Sequence, residues 1–186
     1  MFLSKDELQK IGFKSFGENV LISDKCSIYN AKNIEIGSNV RIDDFCVISA
    51  GKDGIKIGNN VHIAVYCSMI GEGEIIMEDF SGLSSKVALY TSSDDYSGES
   101  LTNPMVPKEY TNIQSGRIHL KKHVIVGAGS IILPNVTLEE GVAVGALSLV
   151  SKSFESFNII VGNPAKILKP RKQNLKTLEW KYLNQS

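Results

Sequence analysis

Residues 120–154, written in sixes, read LKKHVI VGAGSI ILPNVT LEEGVA VGALSL VSKSF. The sixes place Leu120, Val126, Ile132, Leu138, Val144 and Val150 at one recurring position, with Val124, Ser130, Val136, Val142 and Ser148 four residues further on. An α-helix repeats every 3.6 residues and a flat strand every two, so a strict period of six with interspersed glycines suits neither for long. It suits a solenoid in which each six-residue unit is a short strand plus a turn and the aliphatic side chain points to a shared axis. Three such units make one triangular coil, and coils stack at about 4.8 Å, the ordinary spacing of paired strands.

The same phase can be followed back toward the amino end. Ile22 and Ile28 open it, Ile36, Ile42 and Ile48 continue it, and Ile57, Ile63 and Met69 resume it after an extension around residues 52–54. Met77, Leu83 and Leu89 repeat it once more. About five coils are expected over residues 21–160. Cys46 and Cys67 fall at the small inward position, and with Cys26 they form an odd set with no CxxC pair, which predicts reduced thiols and no disulfide framework.

Ser4 and Glu7 form a capping box for a short helix over residues 5–11 that Gly12 stops, and residues 1–20 are expected to cover the first coil. Residues 161–186 form a separate ending, with a short amphipathic helix after Pro170. Twenty basic and twenty acidic side chains cancel, which speaks against a nucleic-acid partner. No apolar run approaches the roughly 20 residues of a membrane span, and the start MFLSKDELQK lacks the apolar stretch of a secretory signal, so a cytoplasmic location is expected.

Between Leu89 and Leu120 the phase disappears for some 30 residues, YTSSDDYSGESLTNPMVPKEYTNIQSGRIH. Loops of this length in a compact domain are usually functional or disordered. Tyr90, Tyr96 and Tyr110, with Leu101, Met105 and Val106, carry enough apolar surface to predict an ordered loop.

The six-residue units resemble the hexapeptide repeats of left-handed parallel β-helix acyltransferases. The run VGNPAKILKPRK at residues 161–172 is similar to the chain ending of the maltose and galactoside O-acetyltransferase branch. The resemblance implies an all-β, left-handed solenoid, acetyl-CoA as co-substrate, no metal, and a homotrimer whose sites lie between subunits with the long loop contributing. It also implies transfer to a sugar hydroxyl in cell-surface polysaccharide synthesis, SDDYSGE in the loop being similar to such members. An N-acyltransferase of a nucleotide-linked amino sugar is the close rival. A γ-carbonic-anhydrase-like metal hydratase and a catalytically silent trimeric scaffold are further alternatives.

Acyl transfer from a thioester needs a base for the acceptor, donors for the oxyanion and a groove for the pantetheine arm. The branch carries a catalytic histidine where the coil enters the loop. Here the matching stretch is YTSSDD, with Asp94 in its place, and a carboxylate is a weak base toward a sugar hydroxyl unless burial raises its pKa. His62, at the outward position of IGNNVH, is the better base, with Gly82 one coil on leaving room beside it and Asp94 or Asp95 expected to orient it. His123, between lysines in a turn, reads as structural, whereas Tyr90, Tyr96 and His119 are expected to touch substrate. By resemblance, Gly127, Ala128, Gly145 and Ala146 offer backbone to the coenzyme, Ser151 and Lys152 flank its groove, and Asn163, Pro164, Lys166 and Arg171 complete that end.

Overall fold

The six-residue phase becomes three parallel sheets wrapped around one axis, in a computed structural model that describes residues 1–184. Face one holds six strands, from Ser15–Phe16 to Thr137–Leu138. Face two holds eight, from Val20–Ile22 to Asn158–Val161 and a returning Lys166–Pro170, and face three holds six, from Ser27–Tyr29 to Leu149–Val150. Apart from the returning Lys166–Pro170, which is antiparallel, each strand pairs in parallel with its counterpart one coil away, as in Arg41↔His62↔Gly82↔Ile125 on face two. The stack therefore has six complete coils and the start of a seventh, more than the five expected, because Ser15–Phe16 already pairs with Glu35–Ile36 and Ile160 extends the ladder past Val150.

The axis is filled as the spacing requires. Ile22, Ile42, Ile63, Leu83, Val126, Val144 and Ile160 form one buried column, and Ile48, Met69, Leu89, Ile132 and Val150 form another. Cys46 and Cys67 are buried within it as free thiols. The amino-terminal cap also forms as expected: helix α1 (Lys5–Ile11) carries the full capping box of Ser4 and Glu7, ends on a left-handed Gly12, and buries Leu8. The loop is ordered by an antiparallel pair, Ser92–Ser93 with Gln114–Ser115, and a single turn at Lys108–Tyr110. Among the described residues no helix is long and apolar enough to cross a membrane.

The corners turn through left-handed residues. Between faces one and two these are Asn19, Asn39, Asn60, Phe80, His123, Gly141 and Phe157. Asparagine and glycine tolerate this conformation, whereas bulky side chains need compensation. Here the chain's own ending supplies it. Helix α2 (Asn174–Leu183) folds back along this corner: Phe80 stacks on His123 at 5.2 Å, Tyr182 meets Phe80 edge-on, and Lys176 lies 4.7 Å over Phe157. Glu179 takes the His123 Nε2 proton bond at 2.7 Å and pairs with Lys122.

Burial pushes the Glu179 carboxyl up, but the bonds from Lys122 and His123 outweigh it and its pKa lies below the ordinary 4.5. A depressed carboxylate stabilises above its unfolded pKa and loses that contribution as pH falls through the folded value, so the latch holds at neutral pH and opens in acid below 4.5. Replacing Glu179 by Gln at neutral pH is expected to cost about 2 kcal/mol and to speed tryptic cleavage after Lys172 and Lys181. Unchanged cleavage would show that the aromatic contacts alone hold the helix.

Candidate active site

His62 sits in the strand Val61–Ile63 with its side chain outward and 55% exposed, as its place in the six-residue phase predicted. Its Nε2 lies 2.7 Å from Asp43 Oδ2, and Arg41 Nε donates to Asp43 Oδ1 at 2.6 Å. Burial raises the Asp43 carboxyl, but the bonds from His62 and Arg41 more than offset it, and the pKa falls below the ordinary carboxylate value. With Asp43 ionised and able only to accept, His62 Nε2 donates the shared proton. The orienting carboxylate within the chain is therefore Asp43, whereas Asp95 accepts from Ser97 N at 2.8 Å and Ser97 Oγ at 2.9 Å, closing a turn of the loop.

Gly82 pairs with His62 one coil on, and a Cβ there would meet only the His62 carbonyl oxygen at 3.4 Å. Packing does not demand this glycine; its missing side chain opens a groove of about 290 Å³ lined by His62, Ala64, Ser84, Ser85 and Ile125. A larger depression of about 530 Å³ lies on face one, but its charges are spent on one another, Lys56 on Glu74 and Glu78 on His119. The groove with a free imidazole edge is the better place for chemistry.

One column gathers the rest of the site. Asp43, Ala64, Ser84, Gly127 and Gly145 each follow a ladder residue of face two, at the corner with face three. Gly127 is required there, because a Cβ would come within 2.6 Å of Ala146 N, and Gly145 likewise faces Val161 at 2.8 Å. Ala128 and Ala146 share these corners, Leu147 N donating to the Ala128 carbonyl. Asn163 and Pro164 lie in the turn between Asn158–Val161 and Lys166–Pro170, at the carboxyl end of the same edge, with Lys166 opening the returning strand. Ser151 and Lys152 are exposed just after face three, Lys152 Nζ lying 5.6 Å over Phe154.

Two expected contributors are placed elsewhere. Arg171 lies at the opposite end of face two, where its Nη1 donates to the carbonyls of His123 and Gly141, so it braces the corner under α2 and is not at the coenzyme end. His119 is on face one, bonded to Glu78 Oε1 at 2.7 Å, and does not line the groove beside His62. The three histidines thus serve three separate carboxylates, and among the described residues no three His, Cys, Asp or Glu side chains gather as a metal set. Tyr90 ends the strand Ala88–Tyr90, whereas Asp94 and the exposed Tyr96 lie beyond it in the loop, past the far end of face three from Ser84. Asp43 and Ser84 were missed from sequence. Reading residues 41–43, 62–64 and 82–84 as stacked rungs would have found both.

No protein-family model matches the chain. It is 53% identical over 178 residues, 96% of this chain and 93% of the relative, to a dTDP-4-amino-4,6-dideoxy-D-glucose acyltransferase of Escherichia coli. It is 28% identical over 163 residues, 83% of this chain and 80% of the relative, to the putative lipopolysaccharide biosynthesis O-acetyl transferase WbbJ of Escherichia coli K12. The crystal structure of a variant of AntD, an N-acyltransferase from Bacillus cereus in complex with dTDP-4-amino-4,6-dideoxyglucose and coenzyme A, matches with a TM-score of 0.96 and 48% identity, over 100% of this chain and 98% of that one. A maltose O-acetyltransferase from Clostridium difficile, at 20% identity and a TM-score of 0.62 over 91% and 75% of the two chains, shares the fold. The chain belongs to the hexapeptide-repeat acyltransferase family. It is an acyltransferase.

Proposed function

We propose that this enzyme transfers an acyl group from a coenzyme A thioester to the amino group of a nucleotide-linked amino sugar. The observation that carries this reading is near-full-length similarity to two proteins whose acceptor or bound ligand is dTDP-4-amino-4,6-dideoxyglucose. The expectation of a sugar hydroxyl gives way to its alternative, since the O-acetyl relative is only 28% identical.

Chemistry supports the same choice. A hydroxyl must lose a tightly held proton as it attacks, which calls for a strong base at the loop position, and this chain has Asp94 there. An amine arrives as an ammonium, which a carboxylate attracts, and needs only to shed one weakly held proton to become the nucleophile. The neutral nitrogen attacks the thioester carbonyl, the now cationic nitrogen gives its second proton to the His62 imidazole, and the tetrahedral intermediate collapses to the amide with cleavage of the C–S bond and departure of the thiolate. Crystallised AntD variants are altered at a serine and an aspartate numbered 84 and 94. This chain has Ser84 in the groove wall and Asp94 in the loop, which supports placing both in its site. The coenzyme then lies along the Gly127–Gly145 corner toward Asn163 and Lys166, with Lys152 near a phosphate.

The test is thiol release from acetyl-CoA and from 3-hydroxybutyryl-CoA with dTDP-4-amino-4,6-dideoxyglucose and with its 4-hydroxy counterpart. The amine is expected to be preferred by at least about 10³-fold in kcat/KM, as a site built for one polar group rejects its substitute. Equal use of the hydroxyl would restore the O-acyl reading, and no thiol release with any acceptor would leave the trimeric scaffold.

A further inference from the structure

Beneath the corner that carries Asp43, Ala64 and Ser84 runs the inward column Cys26, Cys46, Cys67, Val87, Ser130 and Ser148. In the first coil the corner is closed by a backbone bond, Cys26 N to the Ser23 carbonyl at 3.1 Å, and in the fifth by Ser130 N to the Gly127 carbonyl at 3.3 Å. In the three coils between them the corresponding backbone bond is missing among the described residues. A thiol takes its place each time: Cys26 Sγ donates to the Asp43 carbonyl at 3.1 Å, Cys46 Sγ to Ala64 at 3.1 Å and Cys67 Sγ to Ser84 at 3.2 Å. Two of these corners, at Ala64 and Ser84, line the groove, and the third carries Asp43, which bonds His62.

We propose that Cys67, with Cys46 and Cys26 stacked beside it, is a positioning residue of the acyl-transfer site, holding the Ser84 carbonyl and so fixing where the Ser84 side chain stands in the groove. This rests on the assignment of Ser84 to the site given above. A buried carbonyl seeks a donor, and a thiol is a small, weak one that fits the inward position as valine does. Valine at Cys67 would match the shape, as Val87 does one rung on, and remove only the donor. Without it the Ser84 corner is free to turn toward another partner, and a shift of a fraction of an ångström at a positioning group is felt in the chemical step.

Cys67→Val in the full chain is expected to lower kcat about tenfold while KM for the acyl-CoA stays within twofold, and Cys67→Ser, which restores a donor, to return kcat to within threefold of wild type. Val87→Ala, which removes core volume one rung away and touches no donor, is expected to lower stability with kcat unchanged. Cys67→Ala carries the same test if the valine variant does not fold. The proposal is overturned if kcat of Cys67→Val is unchanged, if serine fails to rescue it, or if Val87→Ala loses as much. Inactivity of the wild type itself on every amino sugar would instead sink the function, and is seen before any variant is made.

Discussion

Two inactive chains, one with Ser84→Ala and the other with Asp94→Asn, are expected to recover about a quarter of the wild-type activity when co-assembled in equal amounts. Ser84 stands at the corner of faces two and three, whereas Asp94 follows the strand Ala88–Tyr90 at the other end of face three. Extended chain advances about 3.3 Å per residue, so the width of that face puts the two side chains on the order of 15–20 Å apart within one prism. One acceptor amine cannot touch both. We propose that prisms packed about a threefold axis set the loop of one against the groove of the next, closed symmetry making the three clefts identical. In a random mixture half the grooves keep Ser84 and half the loops keep Asp94, so a quarter of the clefts hold both. Thiol release by the mixture, set against each variant alone, is the measurement. No recovery from chains shown by sedimentation to have co-assembled would place the whole site within one subunit.

His62→Ala is expected to reduce kcat/KM at neutral pH by at least about 10²-fold, the low end for removal of a general base. Asp43 holds the Nε2 proton and leaves Nδ1 to receive one from the acceptor, so Asp43→Asn, which frees the imidazole to turn, is expected to cost about tenfold. Because the Asp43 pKa is held below the ordinary carboxylate value, this pairing persists throughout the neutral range and is lost only in acid. A loss below tenfold for His62→Ala would reassign the proton to the departing thiolate, which is formed within reach of the attacking nitrogen. Single-turnover rates with the amino sugar would separate that outcome from a change in product release.

The two experiments probe features that were unequally legible. His62 could be found because a period of six assigns every residue an inward or outward place, and Gly82 because the next coil repeats the register. Stacking the rungs brings Asp43 near His62, but the bond itself, between residues 19 apart, depends on where two outward side chains lean. His119 and His123 were harder still: their carboxylates, Glu78 and Glu179, are 41 and 56 residues distant, the first across the loop and the second on a helix that returns along the prism. Arg171 was assigned to the coenzyme end by resemblance of the chain ending, but the strand Lys166–Pro170 reverses direction and carries it to the other corner. The coil count fell short because the first and last rungs, at Phe16 and Ile160, lack the regular spacing between neighbours that marks the middle ones.

The amino-acid order by itself determined the solenoid, its capped start, its inward columns and the interruption that makes the loop, because each follows from periodicity and short-range turn chemistry within a few residues. Only the tertiary structure decided which carboxylate serves which histidine, that Ser84 walls the gap left by Gly82, and that a corner of thiols lies under it. Those pairings join rungs 17 or more residues apart, and stacking at the strand spacing brings together groups that no local rule relates.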